Sequence, residues 1–405
     1  MKAPRRIAIT GIGVVSALGS NAVEYLTALG EGRCGIRPLS LFETSGCLSD
    51  VGGQAPEPTL THIARRGRLS RSDRFCIMAA SESLVQAGLR PGTDLDGFGI
   101  SLGCSTAGML EGERALAEVS DRGWSRAPVR PFLHIPTHTP ADAVARFAGI
   151  RGPRLSNMTA CSSASLAIGL AADLIRNREV KGMVAGGGDA LCRLTYSGFN
   201  SLRLLSPRPC RPFDSERDGM SLGEGAGILV LEDWDTAVER GAQPQAEFLD
   251  YGTSCDAHHM TTPHPDGRGA LAAMRQALER SGLRPAEVDY INAHGTGTPT
   301  NDAAEIHAIT ALFKEDLDHV QVSSTKSMVG HLLGGAGGVE SVTVVLALRN
   351  DLVPPTLGLR RHEGETAIDF VSSRSRSRRL EVAISNSFGF GGTNTCLVFR
   401  RAGGS

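Results

Sequence analysis

The sequence predicts an α/β protein built from two similar halves, and three observations predict it. Apolar runs bounded by Gly, Ser and Asp alternate with runs of helical period, the pattern of buried strands between helical layers. The order of these runs in the second half repeats that of the first. Hydrophobic residues make up 41% of the 405, with 21% charged, a composition that suits a large soluble core.

Taken in order, "RRIAITGIGVV" and "GFGISLGCS" read as strands, and "DRFCIMAASESLVQAGL" and "SSASLAIGLAADLIRN" as helices. "VKGMVAGGGDA" and "GAGILVLED" are strands again. From Gln245 the plan restarts. "QAEFLDYGTSCD" is a strand, "GALAAMRQALERSGL" an amphipathic helix, and "VDYINAHGTGT" a strand entering a loop. "NDAAEIHAITALF" reads as a helix capped by Asn301, followed by "VQVSSTKSMVGH", a helix through "VESVTVVLAL" and a last strand, "TNTCLVF". "LSNMTACSSASLAIGLA" and "VQVSSTKSMVGHLLGGAGGVESVTVVLAL" share the order strand, polar turn, apolar helix. We therefore divide the chain into 1–244 and 245–405, two halves with no hydrophilic linker between them.

The basic, then apolar start "MKAPRRIAITGIGVVSALG" resembles a signal peptide, but Gly11, Gly13 and Gly19 interrupt it and it reads as a strand and turn. No run approaches the roughly 18 apolar residues of a membrane span. The formal net charge of −1 gives no bulk field toward nucleic acid or membrane, so a charged partner must meet a local patch. Nine cysteines, none in a CxxC pair, suggest reduced thiols and a cytoplasmic location. Cys76, Cys192 and Cys396 read as small buried hydrophobes.

Cys161 differs. In "NMTACSSASLAIGLAADLI" it sits at a strand-to-helix junction among small residues that leave room for a bulky electrophile. Amides of the first helical turn and the helix dipole favour a thiolate there. Three other segments supply matching chemistry. "NAHGTGTPTND" places His294 after an apolar strand, "SSTKSMVGHLLGGAGG" holds Lys326 and His331, and the glycines of "NSFGFGGTN" free backbone amides for an oxyanion hole. His294 and His331 lack the HExxH or CxxC partners of a zinc site, and no GxGxxG follows the first strand.

Together, "TACSSA", "RPFDSERDGMSLGEGAG", "NAHGTGTPTND", "STKSMVGHLLGGAGGVE" and "SNSFGFGGTN" resemble the elongating beta-ketoacyl-[acyl carrier protein] synthases, over essentially the whole chain. The resemblance implies the thiolase fold, with duplicated halves in an αβαβα sandwich of two sheets between helical layers, and a homodimer or a heterodimer with a homologous subunit. It implies acyl transfer from acyl carrier protein to Cys161, then decarboxylative Claisen condensation with malonyl carrier protein, in fatty-acid or polyketide elongation, with no cofactor and no catalytic metal. It assigns catalysis to Cys161, His294, Lys326 and His331, and the oxyanion hole to the amides of Cys161 and Phe390. It assigns substrate contacts to Thr106, Phe199, Thr296, Thr298, Phe388 and Phe390, and support to Asp302, Glu305, Glu340 and Asn386. Glu340 and Asn386 would border a structural monovalent cation.

Two departures bear on substrate. "GCSTAGM" replaces a glycine-rich stretch and puts Thr106 where the acyl pocket is expected, and "PFLHIPTHTPADAVARFAG" brings His134 and His138 into a normally more apolar segment. Both open the alternative of a specialised polyene or aryl polyene ketosynthase paired with a chain-length-factor-like homologue. A non-catalytic carrier-binding scaffold is disfavoured by the intact Cys, His, Lys, His set. Docking of the acidic carrier protein is expected at Arg65, Arg66, Arg68, Arg71 and Arg74 in "RRGRLSRSDR", and at Arg126, Arg130 and Arg203.

Overall fold

The computed structural model describes residues 5–60, 69–126, 128–362 and 366–403. Two half-sheets carry one topology. In the first, the strands Ile7–Val15, Gly225–Asp233, Gly182–Asp189, Phe98–Gly103 and Arg154–Asn157 lie side by side, which is chain order 1-5-4-2-3. In the second, Ala246–Cys255, Thr393–Arg401, Val382–Gly389, Tyr290–Asn292 and Gln321–Ser323 repeat that order, with the short strand Asp369–Phe370 added at the edge. In both halves the fifth strand runs antiparallel to its neighbours and the fourth, second and third are parallel. The two sheets expected from sequence are joined, because Ile7–Ile9 pairs antiparallel with Ala246–Phe248 and links them into one eleven-stranded ladder.

The layers follow from which faces are apolar. Helices Ser163–Arg176 and Ala336–Asn350 occupy the space between the half-sheets and contact strands of both. Every residue from Ala336 to Leu348 is buried, so this helix needs apolar or small residues on all sides. Helices Arg71–Gln86 and Thr139–Ala148 cover the outer face of the first half. Helices Arg268–Ser281 and Pro299–Phe313 cover that of the second. Three apolar cores between five layers give the αβαβα sandwich. Close approach requires Gly13, where a Cβ would sit 2.0 Å from the carbonyl oxygen of Ala79.

The duplication extends to the turns before the two central helices. Ala160 and Leu333, with φ of 48° and 52°, each stand three positions before a central helix begins. Gly334 thus occupies in the second half the place of Cys161 in the first. A Cβ there would lie 2.6 Å from Ser105 Oγ. One local expectation is corrected. The helix near Asn301 begins at Pro299 with Thr298 as its N-cap, because proline fixes a helical φ and lacks the amide hydrogen that the first turn cannot use.

Candidate active site

Cys161 lies in the 3₁₀ turn Ala160–Ser162, directly before the central helix Ser163–Arg176. The left-handed backbone at Ala160 turns the chain sharply, and the hydroxyls of Ser162 and Ser163 tie the turn to the carbonyls of Thr159 and Ala160. His294 follows the strand Tyr290–Asn292 after one intervening residue. Its backbone N–H and that of Gly295 donate to the two oxygens of Glu305 at 2.8 and 2.7 Å. His331 is held by an isolated bridge to Leu222. One donor atom from each of Cys161, His294 and His331 lies within 4.8 Å of the others, and all three residues are buried. The imidazoles meet edge to face, with centroids 5.3 Å apart.

A backbone contact fixes the His331 tautomer. The Leu333 N–H donates to His331 Nδ1 at 3.1 Å, so the ring proton sits on Nε2. Among the described residues that atom is buried without a hydrogen-bond partner, as is Nδ1 of His294. Burial, then the nearby Lys326 charge, holds both histidines well below their usual pKa, so both are neutral. Lys326 is itself buried and paired with Glu340. The thiol departs from the expectation that its helix favours a thiolate. Burial pushes Cys161 up to about 11, against the lowering effects of Lys326 and of the Phe390 N–H aimed at the sulfur. Desolvation outweighs the amides and the dipole, so the resting form is the thiol.

Cys161, His294 and His331 line one pocket, with Phe199, Thr296, Thr298, Phe388 and Phe390 among the other walls. Phe199 stacks on Phe390 at 5.6 Å, and the hydroxyls of Thr296 and Thr298 bond each other at 2.8 Å. Asp302 accepts from the amides of Phe213, Thr296 and Gly297, fixing the threonine loop. Glu305 also accepts from Asn386 at 3.2 Å and is raised by burial to about 7.

Other expected site residues lie elsewhere. Thr106 is not among the residues lining this pocket; its hydroxyl donates to Asp189 and Ala190 in a buried cluster. Arg71 is a correction. It is buried, its guanidinium grips Glu224 at 2.7 and 2.9 Å and also pairs with Glu57, so it offers no charge to a partner. Arg74 is shared with Glu57, while Arg130 and Arg203 are exposed. Arg65, Arg66, Arg68 and the Arg126 side chain lie outside the described residues.

Among the described residues, buried oxygens of Asn292, Glu340 and Ser385 have no hydrogen-bond partner, whereas the side chain of Asn386, next along the strand, faces the opposite side and donates to Glu305 and Met274, so it does not join the set expected from sequence. Ser385 is the register partner of Asn292, and the helix bearing Glu340 packs on the Ser385 strand. Such an oxygen set suits a hard cation. At the Cys–His–His cluster, by contrast, the Lys326 charge opposes a divalent metal. Sequence reading missed Asn292 and Ser385, which look like ordinary strand residues, and Leu333, whose contribution is a backbone amide that no letter encodes.

Residues 4–237 match the family description "Beta-ketoacyl synthase, N-terminal domain", and residues 245–360 match "Beta-ketoacyl synthase, C-terminal domain". The chain belongs to the beta-ketoacyl synthase family. It is 40% identical to 3-oxoacyl-[acyl-carrier-protein] synthase 2 of Synechocystis sp., covering 98% of each chain. With the protein of that name from Rhizobium meliloti it shares 38% identity over 98% of this chain and 99% of the other. Among solved structures, the ishigamide ketosynthase/chain length factor superposes with a TM-score of 0.92 at 31% identity, covering 99% and 100% of the two chains. A ketosynthase in complex with its chain length factor from Xenorhabdus doucetiae gives 0.85 at 31%, covering 98% of each. This beta-ketoacyl synthase therefore has the thiolase fold expected from its motifs.

Proposed function

We propose that the protein is a 3-oxoacyl-[acyl carrier protein] synthase that elongates an acyl chain by two carbons, in fatty-acid or polyketide synthesis. The observation that carries this reading is the convergence of the Cys161 thiol on two neutral histidines, one with a free Nε2–H donor. The halves divide the work: 1–244 supplies the nucleophile, and 245–405 the histidines and Lys326.

The Cys161 sulfur attacks the thioester carbonyl of acyl carrier protein. The carbonyl oxygen takes the negative charge and accepts from the amides of Cys161 and Phe390. The carbon–sulfur bond to pantetheine breaks, and the thiol proton ends on the departing pantetheine sulfur. Malonyl carrier protein then enters, its thioester oxygen facing His294 and His331. Carbon dioxide leaves with cleavage of the carboxyl carbon bond, and the electron pair forms an enolate whose oxygen accepts from the imidazole N–H groups. Neutral donors suit this step, because a donor that keeps its proton stabilises the enolate without quenching it. The enolate carbon attacks the acyl-Cys161 carbonyl, and collapse breaks the carbon–sulfur bond, releasing the 3-oxoacyl product and the Cys161 thiolate, which takes a proton from solvent. Burial, helped by the charge of Lys326, keeps both imidazoles neutral with their N–H donors in place. Phe199, Phe388 and Phe390 wall the acyl chain, and Thr296 and Thr298 meet the malonyl carboxylate or the pantetheine arm. Asn292, Glu340 and Ser385 would hold a monovalent cation in a structural role.

The partners are acyl- and malonyl-loaded carrier proteins and either a second copy of this chain or a homologous subunit. A second reading, a specialised polyketide ketosynthase in a heterodimer, is favoured by the likeness to two ketosynthases solved with chain length factors. Among the described residues no helix is long and apolar enough to cross a membrane. The test is condensation by purified protein of acyl carrier protein and malonyl carrier protein, read by mass spectrometry. A carrier-bound product two carbons longer supports the reading. Absence of both product and acyl-Cys161 overturns it. The heterodimer requires product only when a cysteine-less homologue is added.

A further inference from the structure

The two amides assigned to the oxyanion hole come from opposite halves of the chain. The Cys161 N–H belongs to the turn Ala160–Ser162. The Phe390 N–H belongs to the turn Phe390–Gly392, which closes the hairpin between the strands Val382–Gly389 and Thr393–Arg401. Both turns use left-handed backbone, with φ of 48° at Ala160, 81° at Gly391 and 75° at Gly392. An oxyanion hole works only when its donors stand roughly 2.7–3.1 Å from one point, so one turn must be fixed against the other. Among the described residues the two turns exchange no backbone hydrogen bond.

Two hydroxyls make the link. Thr393 Oγ1 lies 3.1 Å from the carbonyl oxygen of Thr159 and 3.5 Å from that of Phe390, and its single proton goes to the nearer. Ser162 Oγ lies 2.8 Å from the same Thr159 carbonyl and 3.2 Å from Thr393 Oγ1. The nucleophile turn is thereby tied to the first residue beyond the Phe390 turn. Packing brings the same two segments together. A Cβ at Gly389 would stand 2.8 Å from Thr393 Oγ1, 2.9 Å from the Thr159 oxygen and 3.1 Å from the Cys161 nitrogen. The backbone just before Phe390 therefore lies directly on the nucleophile turn.

We propose that Ser162 and Thr393 are positioning residues for acyl transfer: their hydroxyls, converging on the Thr159 carbonyl, set the spacing of the Cys161 and Phe390 amides that receive the oxyanion. The proposal rests on the acyl-transfer step of the proposed function. Neither residue is among those lining the pocket, so neither meets the substrate itself. Thr393→Val keeps the shape of the side chain and removes the hydroxyl. The Thr159 carbonyl keeps the Ser162 N–H at 3.2 Å, so the substitution leaves no buried acceptor without a donor.

The test compares wild type, Thr393→Val, Thr393→Ser and Ser162→Ala in two reactions of the full chain, each read on the peptide carrying Cys161 by mass spectrometry. Acylation by the octanoyl thioester of N-acetylcysteamine passes through an oxyanion. Alkylation by iodoacetamide displaces iodide at a saturated carbon and forms none. A loss shared by the two reactions therefore belongs to the sulfur, and an excess loss in acylation to the oxyanion. Thr393→Val and Ser162→Ala should slow acylation about tenfold, short of the roughly 100–1,000-fold lost with a whole donor, because the donor is displaced rather than removed. Alkylation and the melting temperature should stay near wild type, and Thr393→Ser should restore acylation. Equal losses in both reactions overturn the proposal, because the hydroxyls then act on the sulfur or on the fold. Acylation at the wild-type rate in Thr393→Val and Ser162→Ala also overturns it. Wild-type protein that is alkylated at Cys161 but takes no octanoyl group overturns the acyl-transfer reading, and this proposal with it.

Discussion

Burial pulls the ionisable groups around the pocket in different directions, and each has its own signature. Cys161→Ser should abolish self-acylation, because a serine hydroxyl without a dedicated base is a far weaker nucleophile than sulfur. The histidine pair is untouched, so decarboxylation of malonyl carrier protein should persist; intact mass and CO2 release read the two steps separately. Condensation at the wild-type rate would remove Cys161 from the chemistry. Glu305 gives a pH test. Its folded pKa of about 7 lies above the ordinary 4.5, so its contribution to stability is full below 4.5 and is lost as pH rises to about 7. Glu305→Gln removes that titration. Its melting temperature relative to wild type should climb between pH 4.5 and 7 and then level off. His294 and His331, depressed in the fold, cost stability as pH falls below 6.5, but they do so equally in both proteins and cancel. A difference that is flat with pH would contradict the raised Glu305.

At the scale of elements, the long apolar runs were legible because a buried strand or an all-round buried helix leaves little choice of residue. "VESVTVVLAL" reads as a helix, and Ala336–Asn350 is one, buried on all sides as far as Leu348. The strand order was not legible. Recognising that Gly225–Asp233 and Thr393–Arg401 each insert beside the first strand of their half requires pairing information that no local pattern holds. The helix cap at Ser70 offers a graded test. Its side chain accepts from the Asp73 amide while Asp73 accepts from the Ser70 amide, a complete capping box. Ser70→Ala should lower stability by about 0.5–2 kcal/mol in denaturant titration, with acyl transfer retained. Gly13→Ala should be far more severe. The added Cβ meets the carbonyl of Ala79, which is helix backbone and cannot rotate away. Loss of soluble protein is the expected outcome, and normal yield would mean that the helix and strand can separate.

For the whole molecule, the four residues proposed for catalysis stand in sequence segments rich in Gly, Ser and Thr, where a reactive side chain has no packing reason to be, and the fold brings Cys161, His294 and His331 within 4.8 Å of one another. The arginines were not legible, because a run of charge in sequence says nothing about which side chains the fold swallows. Arg71 finds its partner 153 positions away, in Glu224, which also accepts from the amides of Ala55 and Leu191. Arg203 is the opposite case: exposed, without an ion pair among the described residues, and next to Leu204, which lines the catalytic pocket. Charge reversal at the two sites should therefore separate docking from folding. Arg203→Glu should raise the KM for acidic carrier-bound substrate about tenfold, more so at low salt, and leave that for a short pantetheine thioester unchanged. Arg71→Glu instead sets two carboxylates against each other in the core, where removing one partner of a buried pair costs about 3–5 kcal/mol. It should lose fold and both activities together. Steady-state kinetics with both substrates and a thermal melt of each variant make the comparison. An Arg203→Glu enzyme with unchanged KM for carrier-bound substrate would move docking to another face, and a stable, active Arg71→Glu enzyme would mean that Glu224 is neutral in the fold.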